Sequence, residues 1–211
     1  MAEETLKKNG ADYGEQNIIT LEWYEHIRRR SGMYIGRLGN GERQGDGIYV
    51  LLKEVIDNSV DEFSMGFGKR IDITIDEDKS VTVRDFGRGI PLGSVVDVTS
   101  KLNTGGKFDT EAFQKSVGMN GVGTKAVNAL SEFFEVRSFR EGEFSEAYFE
   151  EGRLKSKRRG RQKAPERDGT FIRYKPDVKV LKHFKVREEH VMRRMKMYCY
   201  VNAGLTIVLN R

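Results

Sequence analysis

The chain has 211 residues, of which 37% are hydrophobic and 33% charged, and this is enough to bury one sizeable core in a single domain. No apolar run has the length of a membrane span, and the first ten residues contain no signal-peptide core, so the sequence predicts a cytoplasmic protein without a membrane partner. Its single cysteine, Cys199, excludes an internal disulfide. The net charge of +5 is compatible with work near nucleic acid.

The predicted elements alternate between groups of helices and runs of strands. Residues 1–17 are polar and aperiodic, which indicates an N-terminal arm ahead of one domain over residues 18–211. Helical periodicity predicts helices over 20–30 (with Thr20 as N-cap), 48–65, 95–103, 124–131 and 187–202, and glycines predict a loop over 32–47. Strands are predicted over 70–75, 81–86, 133–139, 143–150, 152–158, 169–176 and 205–210. This order predicts an α+β two-layer sandwich and not a doubly wound sheet.

The long helix combines an apolar stripe with an unusual set of acids and an asparagine. Glu54 and Asn58 lie four residues apart and therefore share one helix face. Asparagine is a weak helix former with no cap role at this position, whereas its carbonyl oxygen suits Mg²⁺. A glutamate one turn earlier is placed to deprotonate a water molecule. For Asp61 and Glu62, an ordinary solvated face explains the charges equally well.

Two further motifs bring glycines next to polar side chains. In "RDFGRGIP", Asp85 ends a strand and Gly87 and Gly89 follow, so a carboxylate can accept a hydrogen bond from an exocyclic amine while a flat ligand approaches the backbone. By itself this string is more often a plain turn. In "DGT", Thr170 begins a later strand and is placed to bridge to the Asp85 carboxylate.

A third glycine motif, "GMNGVGTKAVNALS", leads directly into a helix. Gly118, Gly121 and Gly123 precede the helix, and successive backbone N–H groups at such a position bind anions. The motif lacks the G-x-x-x-x-G-K-[ST] pattern and a preceding strand, so neither a P-loop nor a Rossmann turn is predicted. Lys107 and Lys125 would add positive charge for phosphates.

Taken in order, "EVIDN" (54–58), "DFGRGIP" (85–91), "GGKFD" (105–109), "GMNGVGTKAVNALS" (118–131) and "GT" (169–170) resemble the motifs of the GHKL ATPase superfamily. "GMYIG" and "GGKFD" narrow the resemblance to the N-terminal ATPase domain of bacterial type IIA DNA topoisomerase B subunits, over about residues 10–211. The resemblance implies the GHKL (Bergerat) fold, a mixed and mostly antiparallel sheet with helices on one face, in a fragment without the transducer and later domains. A short connector before "GGKFD", with Val117 and Asn120 in place of the usual glycine and histidine, favours topoisomerase IV over gyrase.

The resemblance also implies a role for each matching residue. Glu54 would be the general base that activates the attacking water, Asn58 would hold the Mg²⁺ that bridges the phosphates, and Asp85 would receive the adenine amino group with help from a water and Thr170. The remaining nucleotide contacts would be Val55 and Val83 below the adenine, Arg88 over its edge (paired with Glu62), Gly89, Ile90 and Pro91 as a pocket wall, and Lys107, Met119, Asn120, Gly121, Val122 and Gly123 at the phosphates.

The implied cofactors are ATP and Mg²⁺, and the implied activity is that of an ATP-hydrolysing DNA topoisomerase whose dimeric gate closes on ATP and drives DNA strand passage. Tyr13 and Ile18 fall where arm residues of the family reach into the partner's nucleotide site, so a homodimer through the arm is expected when ATP is bound. An A-type subunit, DNA and ATP-competitive inhibitors of the aminocoumarin type are the other implied partners, at the bacterial nucleoid. The γ-phosphate lysine of the family comes from the transducer, so this fragment is expected to bind ATP and hydrolyse it weakly.

Several departures and alternatives remain open at this point. Phe113 stands at the position of a lid tyrosine and lacks its hydroxyl, and Ser31 replaces a common proline. An ATP-driven clamp of a mismatch-repair or chaperone branch, or a basic nucleic-acid-binding domain whose glycine loops are only turns, would also fit parts of the pattern. The basic run 153–163 is interpreted as a solvated hairpin, with contact to DNA in the closed gate as the alternative. His26, His183 and His190 show no metal-ligand spacing with Cys199 and are interpreted as ordinary residues.

Overall fold

The structure is a computed structural model that describes residues 18–102, 104, 121–163 and 166–210. Predictions for the arm and for Tyr13, Lys107, Phe113, Val117, Gly118, Met119 and Asn120 lie outside these residues. The α-helices of the described part are α1 (Trp23–Arg29), α2 (Ser31–Ile35), α3 (Gly47–Ser64), α4 (Val95–Ser100), α5 (Gly123–Ala129) and α6 (Glu188–Val201), and Leu92–Ser94 form a 3₁₀ helix. The strands are β1 (Arg70–Ile75), β2 (Val81–Asp85), β3 (Ser131–Arg140), β4 (Glu143–Glu150), β5 (Arg153–Arg161), β6 (Gly169–Pro176) and β7 (Thr206–Asn210).

All seven strands form one sheet in the order β5-β4-β3-β6-β2-β1-β7. Each neighbouring pair is antiparallel except β1 and β7, which run parallel, so the predicted α+β fold with a mixed, mostly antiparallel sheet is confirmed. The strands predicted over 70–75 and 81–86 form the antiparallel hairpin of β1 and β2, with Ile71 opposite Asp85. Because β2 lies between β1 and β6, the strand that ends in Asp85 is supported on both sides.

The core lies between the sheet and the apolar stripe of α3. Val55 and Ile56 of α3 are buried with Ile73 and Val83 of the first two strands, as the 3.6-residue and two-residue periods require. Burying such a side chain contributes about 1.5–3 kcal/mol. This packing holds α3 against the end of β2, so the polar residues at the edge of the stripe face the same space as Asp85.

Two predictions in the N-terminal part of the described chain were wrong. The first helix begins at Trp23 with Glu22 at the N-cap position, so Thr20 does not cap it. The supposed loop over 32–47 begins with α2, whose Ile35 is buried in the core. The basic run forms strand β5 and pairs antiparallel with β4, which confirms the strand predicted over 152–158 and extends it to Arg161, and its residues are exposed as expected of a solvated hairpin.

Within the described part of the chain, no helix is both long and apolar enough to cross a membrane. The same residues contain no group of three or more histidine, cysteine or acidic side chains placed to hold a metal ion.

Candidate functional site

A cavity of about 800 Å³ opens between α3, the ends of β2 and β6, and the start of α5. It brings together every described residue that the sequence assigned to the site, and the other four, Tyr13, Lys107, Met119 and Asn120, lie outside the described residues. The predicted residues that line it are Glu54, Val55, Asn58, Val83, Asp85, Arg88, Gly89, Ile90, Pro91, Gly121, Val122, Gly123 and Thr170.

Asp85 is a buried carboxylate fixed by three donors. The backbone N–H groups of Gly87 and Thr170 donate to its Oδ1 at 3.0 and 3.1 Å, and the hydroxyl of Ser59 donates to its Oδ2 at 3.3 Å. Burial raises the pKa of this carboxyl, whereas the two backbone N–H groups lower it. Thr170 therefore reaches Asp85 as predicted, through its backbone nitrogen. Ser59 was missed by the sequence analysis.

The glycines beside Asp85 are required by contacts within the protein. A Cβ on Gly169, which has φ +132°, would lie 2.2 Å from the carbonyl oxygen of Asp85. A Cβ on Gly89, at φ +73°, would lie 2.8 Å from the carbonyl oxygen of Phe139. A side chain at either position would therefore push apart the strand ends that form this wall. Close approach of a flat ligand to Gly87 and Gly89 stays a prediction.

Glu54 and Asn58 both meet the start of α5. The Asn58 amide nitrogen donates to the Glu54 backbone carbonyl and to the Thr124 hydroxyl, both at 2.9 Å, which fixes the orientation of the amide. The Glu54 carboxylate approaches Gly123 so closely that an added Cβ would lie 1.9 Å from its Oε2 atom. Lys53 places its Nζ atom 3.8 Å from the other carboxylate oxygen. The acid, the amide and the beginning of a helix therefore converge on one corner of the cavity.

Arg88 is paired with Glu62, as the resemblance suggested. Its guanidinium donates to both carboxylate oxygens of Glu62 at 3.1 and 3.0 Å and lies 4.3 Å from the ring centroid of Phe67. The Glu62 carboxylate also accepts the Arg88 backbone N–H at 3.0 Å. Asp61 is buried, with 1% of its surface exposed. The alternative interpretation of Asp61 and Glu62 as a solvated face is therefore wrong, because both acids belong to the folded wall of the cavity.

Lys125 is buried at the start of α5 with 2% of its surface exposed. Its ammonium donates to the backbone carbonyls of Thr104, at 2.6 Å, and Gly121. Burial lowers the pKa of Lys125 from 10.5 to about 8. The side chain thus joins two positions that are far apart in sequence, and its predicted role toward phosphates stays a prediction.

The lowered pKa of Lys125 has a measurable effect on stability. Between pH 8 and 10.5 the unfolded state binds more protons than the folded state, so the free energy of unfolding rises with pH in that window. From pH 7 to pH 9, we expect the wild type to gain about 1 kcal/mol relative to a Lys125→Met variant, measured by urea unfolding at both pH values. A Lys196→Met variant, at an exposed position, should follow the wild type. A Lys125→Met variant that also follows it would contradict the shifted pKa.

A second buried acid links α3 to the last helix. Asp57 is 3% exposed and accepts hydrogen bonds from the Tyr198 hydroxyl and the Lys53 ammonium. The Lys53–Asp57 pair was visible as an i, i+4 spacing, whereas Tyr198 lies 141 residues away and gave no local signal.

The model of the family described as histidine kinase-, DNA gyrase B-, and HSP90-like ATPases matches residues 44–178. This span includes α3, β2, α5 and β6, the elements that build the cavity. The chain belongs to this family of ATPases.

More particularly, the chain is similar to the B subunits of type IIA topoisomerases. It is 50% identical over 199 residues to the B subunit of DNA topoisomerase 4 from Borreliella burgdorferi, covering 94% of this chain and 33% of that protein. It is 40% identical over 213 residues to the DNA gyrase B subunit of Mycolicibacterium smegmatis, covering 96% and 30%. The chain therefore spans about a third of the length of these relatives.

The fold is similar to the 43K ATPase domain of Thermus thermophilus gyrase B, which was solved in complex with an aminocoumarin. The TM-score is 0.75 at 32% sequence identity, over 90% of this chain and 48% of the other. Together with the family match, this confirms the GHKL fold and the resemblance to type IIA topoisomerase ATPase domains.

Proposed function

We propose that residues 18–211 bind ATP in the cavity and act as the ATPase domain of the B subunit of a bacterial type IIA DNA topoisomerase. The observation that supports this most directly is the buried Asp85 carboxylate, fixed by three donors at the base of a cavity large enough for a nucleotide. Titration of a non-hydrolysable ATP analogue by calorimetry, with and without Mg²⁺, tests the proposal. A folded protein that releases no binding heat in either titration would reject it.

Topoisomerase IV is favoured over gyrase within this proposal. The identity to the topoisomerase IV relative is 50%, against 40% to the gyrase relative, over nearly the same part of the chain. The departures at Val117 and Asn120 point the same way. Decatenation rather than supercoiling by the complete protein with its A-type partner would support topoisomerase IV, and neither activity would favour a clamp of another GHKL branch.

The adenine end of the nucleotide is assigned to the base of the cavity. Asp85 accepts the exocyclic amine, because a buried carboxylate is a strong acceptor that specifies an N–H donor. Val55 and Val83 lie below the ring, and Arg88, held by Glu62, lies at its edge. The rest of the wall consists of Gly89, Ile90, Pro91 and Thr170.

The phosphates are assigned to the start of α5. Gly121, Val122 and Gly123 line the cavity there and supply backbone N–H groups, with Lys107, Met119 and Asn120 proposed to complete the site. The Asn58 amide is oriented by the hydrogen bonds that its NH₂ group donates to Glu54 and Thr124. Its side-chain oxygen is a suitable ligand for Mg²⁺, an ion that keeps most of its water ligands. When bound, Mg²⁺ would neutralise charge on the phosphates.

Glu54 is assigned as the general base. It lies beside Asn58 and α5, where a water attacking the terminal phosphate would stand, and it accepts the proton from that water. The remaining work is positioning and charge stabilisation by α5, as expected for phosphoryl transfer.

A Gly123→Ala variant tests this geometry. The new methyl group would displace the Glu54 carboxylate, the end of a flexible side chain, so we expect near-normal stability with hydrolysis by the complete protein reduced at least about tenfold. The matched control is Gly93→Ala, because nothing lies within 4 Å of a Cβ at that position. Urea unfolding and a steady-state ATPase assay report the two quantities. An unchanged rate of ATP hydrolysis in Gly123→Ala would contradict the assignment of Glu54 as the general base beside α5.

The whole-protein context completes the proposal. ATP binding is proposed to close a homodimer through the arm, with Tyr13 reaching the partner's nucleotide, and to drive DNA passage together with an A-type subunit. The isolated chain is proposed to hydrolyse ATP weakly, to bind ATP-competitive inhibitors such as aminocoumarins and to work in the cytoplasm at the nucleoid. The T. thermophilus domain, solved with an aminocoumarin, supports the inhibitor proposal.

A further inference from the structure

The end of the sheet opposite β7 is an exposed basic strand. In β5, every residue is exposed except the half-buried Gly160, and no strand among the described residues pairs with its outer edge. Its nine residues include six lysines and arginines, and exposed Lys163 follows two positions after its end. No residue of β5 lines the nucleotide cavity, so the function proposed for that cavity does not account for this charge.

Neighbouring acids neutralise only part of the positive charge. Lys155, Arg158 and Arg159 pair with carboxylates of β4 at 3.2, 2.8 and 3.2 Å. Three further cationic side chains have no carboxylate within 4 Å among the residues that the structure describes, namely Lys157, Arg161 and Lys163. A basic surface therefore remains after the ion pairs are counted.

The spacing of the charges is regular. Lys157, Arg159 and Arg161 are opposite Ala147, Ser145 and Glu143 and so project from one face of the strand. A strand rises about 3.4 Å per residue, which places the Cα atoms of these residues about 6.8 Å apart. Arg159 is already paired with Glu143, so Lys157 and Arg161 are the two cations that this face offers to an anionic partner. On the other face, Arg158 is stacked at 5.1 Å over the ring of Phe144, which limits its mobility.

We propose that β5 and Lys163 form a contact surface for the phosphate backbone of duplex DNA. This surface binds DNA without recognising its base sequence. The proposal rests on the proposed function, in which DNA is the substrate of the complete enzyme. A second copy of the chain does not fit this edge, because pairing two β5 strands would bring their cations together. The cations neutralise phosphates and release the counterions of the DNA, so the affinity of such binding depends on salt concentration.

The test is fluorescence anisotropy of a labelled 20-base-pair duplex with the complete chain, at several salt concentrations. A triple variant, Lys157→Gln with Arg161→Gln and Lys163→Gln, should bind about tenfold or more weakly at low salt, and its salt slope should fall by about 2–3. The matched control changes three exposed cations elsewhere, Lys182→Gln with Arg193→Gln and Lys196→Gln, and thus has the same net charge. The control should keep most of the affinity.

Three results would overturn the proposal. The two triple variants could lose affinity equally, which would mean that only net charge matters, or the wild type could fail to bind duplex at low salt. A polyglutamate peptide could displace the duplex at lower concentration than unlabelled duplex does, which would assign the edge to an acidic protein. Calorimetry with the ATP analogue on the β5 triple variant keeps the two proposals separate, because that variant should bind the analogue as the wild type does.

Discussion

An Asp85→Asn variant is expected to bind a non-hydrolysable ATP analogue about 30–100-fold more weakly than the wild type. In the structure, Oδ1 accepts the N–H groups of Gly87 and Thr170, and Oδ2 accepts the Ser59 hydroxyl. An asparagine can keep the two backbone bonds only by turning its oxygen toward them. Its NH₂ group then replaces Oδ2, so a donor faces the proposed adenine amine and the acceptor is lost.

The measurement is calorimetry with Mg²⁺ present, supported by urea unfolding to confirm that the variant is folded. Ser59→Ala is the matched control, since it removes one donor to the same carboxylate and leaves the acceptor in place. We expect Ser59→Ala to weaken binding by less than about tenfold. Wild-type affinity in a folded Asp85→Asn variant would show that adenine is bound elsewhere.

The second large effect is expected at Glu54. A Glu54→Gln variant of the complete protein should lose at least about 100-fold in the rate of ATP hydrolysis, because an amide cannot accept the proton of the attacking water. Binding of the ATP analogue should stay within a few-fold of wild type, since Glu54 is assigned to the chemical step. A reduced kcat with an unchanged Kd is the signature of a group that acts in the transition state.

The control for this experiment is Glu25→Gln on α1, which removes an acid outside the cavity and should leave hydrolysis unchanged. The complete protein is needed because the γ-phosphate lysine is expected from a later domain. If Glu54→Gln hydrolysed ATP at the wild-type rate, the base would have to be another group at the cavity, and Asp61 would be the next to test.

Local patterns predicted most of the elements, because each depends on neighbours in sequence. The strands β1 and β2, for example, follow from the alternation of apolar and polar residue types alone. The order of the strands in the sheet could not be predicted in this way. Pairing β1 with β7 depends on packing between distant segments. The short helix α2 was missed because the local pattern there is rich in glycine, whereas the burial of its Ile35 in the core is visible only in the folded chain.

The same distinction applies to the site. Glu54 and Asn58 were found because their spacing on one helix and their poor fit to an ordinary helix face were visible in the sequence. Ser59 was missed because its significance depends on the arrival of Asp85 from another strand. The glycines at 89 and 169 were found by type, but the backbone atoms that require them became visible only in the folded chain.

The position of β2 in the sheet also determines when the site can form during synthesis. β2 is paired with β1 at once, but its other neighbour, β6, follows more than 80 residues later, and β7 joins β1 roughly 130 residues after it. Pairings between such distant segments are slow, because a long loop must close before any contact stabilises it. A ribosome must therefore release this chain as far as Thr170, about four fifths of its 211 residues, before Asp85 gains the Thr170 N–H. Until then, the strand that ends in Asp85 remains an open edge, the kind of surface that chaperones protect.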